Sequence, residues 1–361
     1  MSEHLASSSP DAWYALSGNE DDVVLATTMV LRRNLANFPF PQKLSKTESQ
    51  RIQSLVFDAF NHLKDAESFQ AISVSHLDSL VKKVLQERGI LDFQDDEKIG
   101  IILRTDGKVS CAVNDGDHLR LNVFVSGLNF ENVSAISKEI DLGLQQKLQF
   151  AASYDFGYLT SDVFDAGSGM KLSLKFHLPS LSFQSRIRGL ANDMIEKGIS
   201  FEAHYGTAKQ GTALGAFYTI TSINSQTGGE LDQIASVVSA GRRIADLERA
   251  AREECKKNNL TEVRNALYRA VALSRSSLFI PLREAIELVS TIKWGLDMGL
   301  LTGIEDSFLH ALLYRIQEAH LEYFWRNGTF EFENDITNDY KKNERLRALI
   351  LQEAFEALVL V

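Results

Sequence analysis

The chain is poor in the residues that usually betray a reaction centre or a compartment. Cysteine occurs only twice in 361 residues, as Cys111 and Cys255, which excludes a disulfide framework and a four-cysteine zinc site. Both are read as reduced thiols with a structural role. The eight histidines are scattered, and no His-x-x-x-His or Cys-x-x-Cys pair offers metal-ligand spacing. No Gly-x-Ser-x-Gly elbow is present, and no local pattern places a base beside Ser168. Gly206 to Thr212 resembles a phosphate loop but lacks the Lys-Ser/Thr pair after its second glycine, so it reads as a strand-connecting loop. No stretch approaches the roughly 20 consecutive apolar residues that cross a bilayer. Met1 to Pro10 is polar and Ser-rich without an apolar signal region, so no membrane is expected and a cytoplasmic location is. Cations are outnumbered, 38 Lys and Arg against 48 Asp and Glu, and the net charge of -10 makes nucleic acid a poor partner.

What remains is ordinary globular material, 44% hydrophobic and 24% charged, in a chain long enough for two cores. Residues 1-22 read as a flexible tail. Helical periodicity appears in Lys46 to Ala66 and Val74 to Arg88. From Lys98 the period changes to short β-rich runs around Asp106-Gly107 and Asp115-Gly116, the residue pair most typical of hairpins. A helix is predicted over Asn132 to Gln149, strand at Lys171 to His177, helix at Ser185 to Lys197, and strands at Ile199 to His204 and Ala213 to Ile223. After Gly228-Gly229 every element reads as an amphipathic helix: Leu231 to Lys257, Leu260 to Ser277, Leu282 to Leu300, Asp306 to Trp325 and Asn338 to Leu358. The expected division is 23-229 for an α+β domain and 230-361 for a helical one.

Val23-Val24-Leu25 followed by Arg33-Asn34-Leu35-Ala36-Asn37-Phe38-Pro39-Phe40-Pro41 resembles the opening of the bacterial protein-arginine kinases, members of the ATP:guanido phosphotransferase (phosphagen kinase) family. The likeness runs on through Asp117-His118-Leu119-Arg120, Phe156-Gly157-Tyr158-Leu159-Thr160, His177-Leu178-Pro179, Ala213-Leu214-Gly215 and Ala319-His320-Leu321. The resemblance implies an α+β fold: a phosphagen-kinase-like antiparallel sheet flanked by helices, followed by an all-helical C-terminal domain. It also implies ATP with magnesium as cofactor. The partners it implies are a Clp-family AAA+ unfoldase and a zinc-binding activator protein, and a homo-oligomer is left open.

Phosphoryl transfer from ATP to a guanidinium needs cations around a polyanion of about -4 charge and a carboxylate to orient the guanidinium. The family uses arginines, whose planar fork grips phosphate oxygens in pairs. Where it has Ser-Ser-Arg-Val-Arg, this chain has Ala26-Thr27-Thr28-Met29-Val30, so Thr28 and Val30 replace two arginines. Arg120 matches the third, Lys171 the fourth and Glu202, with reversed sign, the fifth. Arg32 and Arg33 lie nearby, yet neither falls on a missing arginine without a register slip. The acid expected to act as base is replaced by Gly116 beside Asp115, the active-site cysteine by Asp162, and the acid after Tyr-Gly by Thr207. The family's phosphoarginine pocket, built on Arg-Asp-x-x-Arg-Ala, is matched by Asn343-Glu344-Arg345-Leu346-Arg347-Ala348, with Arg347 expected on a solvated helix face. Each lost charge in such a site costs about 3 to 4 kcal/mol of transition-state stabilisation. A catalytically degenerate pseudokinase that acts as an adaptor is therefore expected. The alternatives are an active kinase with a remodelled site, and a sensor that binds nucleotide through Arg120 and Lys171 without transferring phosphate.

Overall fold

The structure, a computed structural model, describes residues 12–92, 98–208, 212–223 and 229–361. Part of the expected tail, the centre of the Gly206 to Thr212 loop and Gly228 lie outside the described residues. Ten strands come first in the chain: β1 (Val24–Arg33), β2 (Phe69–Ser73), β3 (Gly100–Arg104), β4 (Val109–Asp115), β5 (Asp117–Ser126), the two-residue β6 (Ala152–Ser153) and β7 (Gly157–Tyr158), then β8 (Met170–His177), β9 (Ile199–Ala203) and β10 (Phe217–Ser222). Helices α1 (Lys46–Phe60), α2 (Ser79–Glu87), α3 (Phe130–Gln145), α4 (Pro179–Phe183) and α5 (Ile187–Glu196) are interspersed among them. There follow α6 (Glu230–Asn258), α7 (Leu260–Ser276), α8 (Leu282–Asp297), α9 (Asp306–Arg315), α10 (Glu318–Asn327) and α11 (Asp339–Ala354), with a small ribbon of β11 (Leu301–Thr302) and β12 (Val359–Leu360).

Eight strands form one antiparallel sheet in the order β2-β3-β4-β5-β1-β8-β10-β9. Its two faces follow from strand alternation. Met29, Leu31, Leu121, Val123, Leu172, Leu174 and Ile220 project to one side and are buried under α1, α3 and α6 in a single apolar core. Gly241 is where α6 crosses β8, because a Cβ there would collide with the Leu174 side chain. Helix α1 starts at a capping box in which Ser45 and Glu48 each bond the other's backbone N–H. The second core belongs to α7 through α11, around Leu267, Ile292, Leu312, Leu346 and Phe355.

The structure therefore has the α+β sheet and helical C-terminal region expected from the pattern, with three differences. First, α6 packs into the sheet's core through Ile234, Val237, Ile244 and Ala251, while Leu25, Leu214 and Phe217 join the second core; the switch from strand to helix periodicity marks a change of local structure, not of core. Second, the run Asp306 to Trp325 is broken into α9 and α10 at Ile316–Gln317. Third, the expected tail is packed from Trp13 onward: Trp13 and Tyr14 are buried against Phe124 and Tyr314. Two aromatic side chains offer enough apolar area to order a polar segment. Strand β2 and helix α4 had no recognised signal.

Asp22 closes that segment by bonding Arg249 Nη2 at 2.6 Å and Arg252 Nη1 at 2.8 Å. Burial opposes its charge, but the hydrogen bonds and fields of the two arginines outweigh it and hold its carboxyl below the ordinary range. A depressed acid stabilises the fold above its unfolded pKa, and the contribution is lost as pH falls through the folded value. Asp22→Asn is expected to cost about 1–2 kcal/mol at neutral pH and progressively less below the ordinary aspartate value of 3.8. Thermal unfolding of both proteins across acid pH measures this, and a constant difference would contradict it.

Candidate functional site

The sheet face opposite the core is polar. Alternate residues of the central strands line it: Thr28, Val30 and Arg32 on β1, Arg120 and Asn122 on β5, Lys171, Ser173 and Lys175 on β8. Thr219 and Thr221 of β10 and Ser200 and Glu202 of β9 extend it. Register brings Val30 opposite both Asn122 and Lys171, and Arg32 opposite Arg120. Thus Thr28, Val30, Arg120, Lys171 and Glu202, which come from four strands, share one face. Arg32 reaches this face with no register slip, since 28, 30 and 32 are separated by steps of two; Arg33 points the other way, to Asp141 on α3.

Each cation on this face at the Arg120 end is held by a carboxylate. Arg120 Nη2 donates to Asp115 Oδ2 at 2.6 Å and to the Ile90 carbonyl at 3.0 Å, and lies 3.4 Å from Asp92. Lys171 Nζ is 2.6 Å from Asp165 Oδ1. Arg32 contacts Asp117 Oδ2 at 3.3 Å and Asp165 Oδ2 at 3.0 Å. Asp115, Asp117 and Asp165 are all buried, at no more than 2% exposure. Three cations thus meet three buried anions, while the exposed Glu202 adds a further negative charge. Val30 presents only hydrocarbon.

Asp115 is turned toward Arg120 by the hairpin itself. Asn114 adopts a left-handed backbone (φ 62°), which breaks the alternation of β4, and Gly116 completes the turn at φ 83°. Asp115 Oδ2 also accepts the Asp92 N–H. With no exposed surface, Asp115 serves Arg120 as a counter-ion. Asp162 caps the short turn Val163–Asp165 by accepting the Phe164 N–H at 3.0 Å. Thr207 lies away from this cluster, its carbonyl accepting from Arg283 at 2.7 Å. At the other end of the face Lys175 is buried among Tyr205, Phe217 and Tyr314, and burial pulls its ammonium down to about 7.

The phosphoarginine-pocket match sits in α11, and its placement corrects the expectation for Arg347. That side chain is fully buried, donating to the carbonyls of Ile316 at 2.8 Å and Ile280 at 2.9 Å and pairing with Glu318 at 2.8 Å. It crosslinks α11 to the C-terminal end of α9, where the last carbonyls lack an intrahelical donor, and to the loop carbonyl of Ile280 just before α8. Asn343 is likewise engaged, accepting from Trp325 Nε1 and donating to Glu318, and Glu344 accepts from Lys341. Cys111 is buried and its thiol is pushed up to about 12 by desolvation, consistent with a structural thiol.

Sequence reasoning missed Asp117 and Asp165. Neither is legible locally: Asp117 meets Arg32 across 85 residues, and Asp165 approaches Lys171 only because the intervening chain doubles back through Gly167 and Gly169. The one available signal was the two-residue spacing that puts Arg32 on the Thr28 face.

Residues 51–251 match the family described as ATP:guanido phosphotransferase, C-terminal catalytic domain. Residues 260–359 match the protein-arginine kinase McsB C-terminal domain. The protein-arginine kinase of Halothermothrix orenii is 29% identical over 313 residues, 86% of this chain and 89% of its own length. That of Pelotomaculum thermopropionicum is 27% identical over 330 residues, covering 90% and 92%. Among solved structures, the duplicated taurocyamine kinase from Schistosoma mansoni superposes with a TM-score of 0.59 at 17% identity, over 74% of this chain and 42% of that one. Lombricine kinase gives 0.55 at 16% identity, over 69% and 71%. At these identities the two structures speak to the fold alone.

Proposed function

We propose, for a chain that belongs to the ATP:guanido phosphotransferase family and to its protein-arginine kinase branch, a role as a catalytically degenerate member that works through its surfaces. The observation that carries this reading is that Arg120, Lys171 and Arg32 are already neutralised by Asp115, Asp165 and Asp117. An ATP phosphate chain would have to displace buried carboxylates to gain the bidentate contacts that make such sites work. Thr28 and Val30 offer it no charge, and Glu202 repels it. The residues present therefore do not fit magnesium-ATP.

The role in keeping with the family is regulation or adaptor work in protein quality control, with a Clp-family AAA+ unfoldase and a zinc-binding activator protein as the partners to test. One observation favours a second reading, an active protein-arginine kinase with a remodelled site: Arg32 stands on the face that lost its two arginines, so three cations are retained there.

Isothermal titration with magnesium-ATP, followed by an assay for phosphoarginine on an unfolded protein substrate, decides between them. The expected result is neither saturable binding nor phosphoarginine. Turnover that Arg120→Ala abolishes would establish the second reading.

A further inference from the structure

Helix α8 turns one face to an open cavity of about 510 Å³ that it shares with α4 and with the Leu214–Ala216 turn before β10. Glu284, Glu287, Thr291 and Trp294 follow one another in steps of three and four, which places all four on that face. The other walls include Phe183 of α4 and Leu214 of the turn. The interior is apolar: Phe183, with 40% of its surface exposed, has its ring centroid 5.7 Å from that of the buried Trp294. Size and lining are those of a small-molecule site, an apolar hollow of roughly 300–1,000 Å³ with a few polar groups converging on it.

Glu287 is exposed and Glu284 half-buried, and among the described residues neither carboxylate makes a hydrogen bond or an ion pair. Asp115, Asp117 and Asp165 are, by contrast, each held by a cation. The Arg283 guanidinium also lines the cavity, but its Nη2 is given to the Thr207 carbonyl at 2.7 Å. Residues three apart on a helix are neighbours, with Cβ atoms about 5–6 Å from each other, and like charges so placed repel; a bound cation relieves that repulsion. Ser290, 5% exposed, lines the same cavity, with its hydroxyl 2.8 Å from His177 Nε2. Whichever of the two donates, the hydroxyl keeps capacity for another bond. Burial, with Lys293 and Arg252 nearby, holds that imidazole neutral, so His177 adds no positive charge behind the cavity.

We propose that this cavity binds a small amphipathic amine, with its ammonium at Glu284 and Glu287 and its apolar stem against Phe183 and Trp294. The carboxylates repel an anion and gain no Coulomb energy from a neutral head, while the rings gain nothing from a cation that lacks a stem. An ammonium carries three donors, enough for both carboxylates. The cavity shares no residue with the polar sheet face, so its occupation is independent of whether phosphate is transferred there.

Isothermal titration of the full chain with phenethylamine hydrochloride tests this, with phenethyl alcohol as a neutral ligand of the same shape. The amine is expected to bind saturably, and the alcohol at least about tenfold more weakly. Glu284→Gln combined with Glu287→Gln is expected to weaken the amine by a similar factor and to leave the alcohol unchanged. Thr291→Arg, which sets a cation on the same helix face, is expected to weaken the amine as well. Absence of saturable amine binding overturns the proposal, and so does an amine that binds no more tightly than the alcohol. Unchanged amine affinity in either folded variant overturns it too. These positions are exposed or half-buried, and a cooperative thermal transition identifies a folded variant; should one variant fail to fold, the other and the alcohol comparison still decide. Phosphoarginine formed by the wild type would instead refute the degenerate-kinase reading and has no bearing on amine binding.

Discussion

Replacing Arg347 with methionine is expected to lower the unfolding free energy by about 2–5 kcal/mol, the cost of leaving two buried carbonyls without a donor. The side chain has no exposed surface and satisfies the carbonyls of Ile316 and Ile280. Methionine fills much of the volume but donates nothing, so two buried backbone carbonyls lose their partner, while Glu318 keeps its bonds from Asn343 and its exposure to water. Urea unfolding reads the effect as a lower midpoint with an unchanged slope. Were Arg347 an open ligand-binding group, its removal would leave stability within about 0.5 kcal/mol of the wild type, as surface changes do. That outcome would restore the phosphoarginine-pocket role that the family match implies and the observed packing argues against.

Lys175→Met is expected to do the opposite and stabilise the chain, most strongly below neutral pH. The lysine is 6% exposed, and its ammonium has the Tyr205 hydroxyl at 2.9 Å and the rings of Tyr205 and Tyr314 around it. Ring faces attract a cation but return only part of its lost hydration. Burial lowers its pKa from 10.5 to about 7. Between those values the unfolded chain holds the proton and the folded chain does not, so wild-type stability rises with pH across that window. Below about 7 both states are protonated and the folded state carries the full desolvation cost, on the order of 5 kcal/mol. Methionine removes that dependence. The gap between variant and wild type should therefore be largest near pH 6 and shrink toward pH 10; a gap independent of pH would mean that packing, not charge, controls this position.

These two residues also mark how far local sequence can be read. Arg347 sits in a helix whose charged neighbours suggested a solvated face, because nothing within α11 reveals that carbonyls from α8 and α9 converge on it. Lys175 alternates correctly with Lys171 and Ser173 along β8, yet the rings that bury it come from residues 205, 217 and 314. The Asp-Gly hairpins were legible because tight turns are local, and Asp106-Gly107 and Asp115-Gly116 do lie where β3 joins β4 and β4 joins β5. Strand β2 was not, since its exposed Gln70 and Ala71 give no alternation of apolar residues.

Family and fold class follow from the linear chain, since periodicity and motif order are properties of neighbours in sequence. What had to come from the tertiary structure is the state of the charges that remain. Arg120, Lys171 and Arg32 read as available cations until the folded chain shows Asp115, Asp165 and Asp117 beside them, separated from their partners by as few as five residues and as many as 133. Coulomb attraction depends on distance and burial, not on position in the chain. That is why a departure from the family's arginine pattern is an expectation the sequence can supply, whereas the ion pairs that neutralise Arg120, Lys171 and Arg32 are visible only in three dimensions.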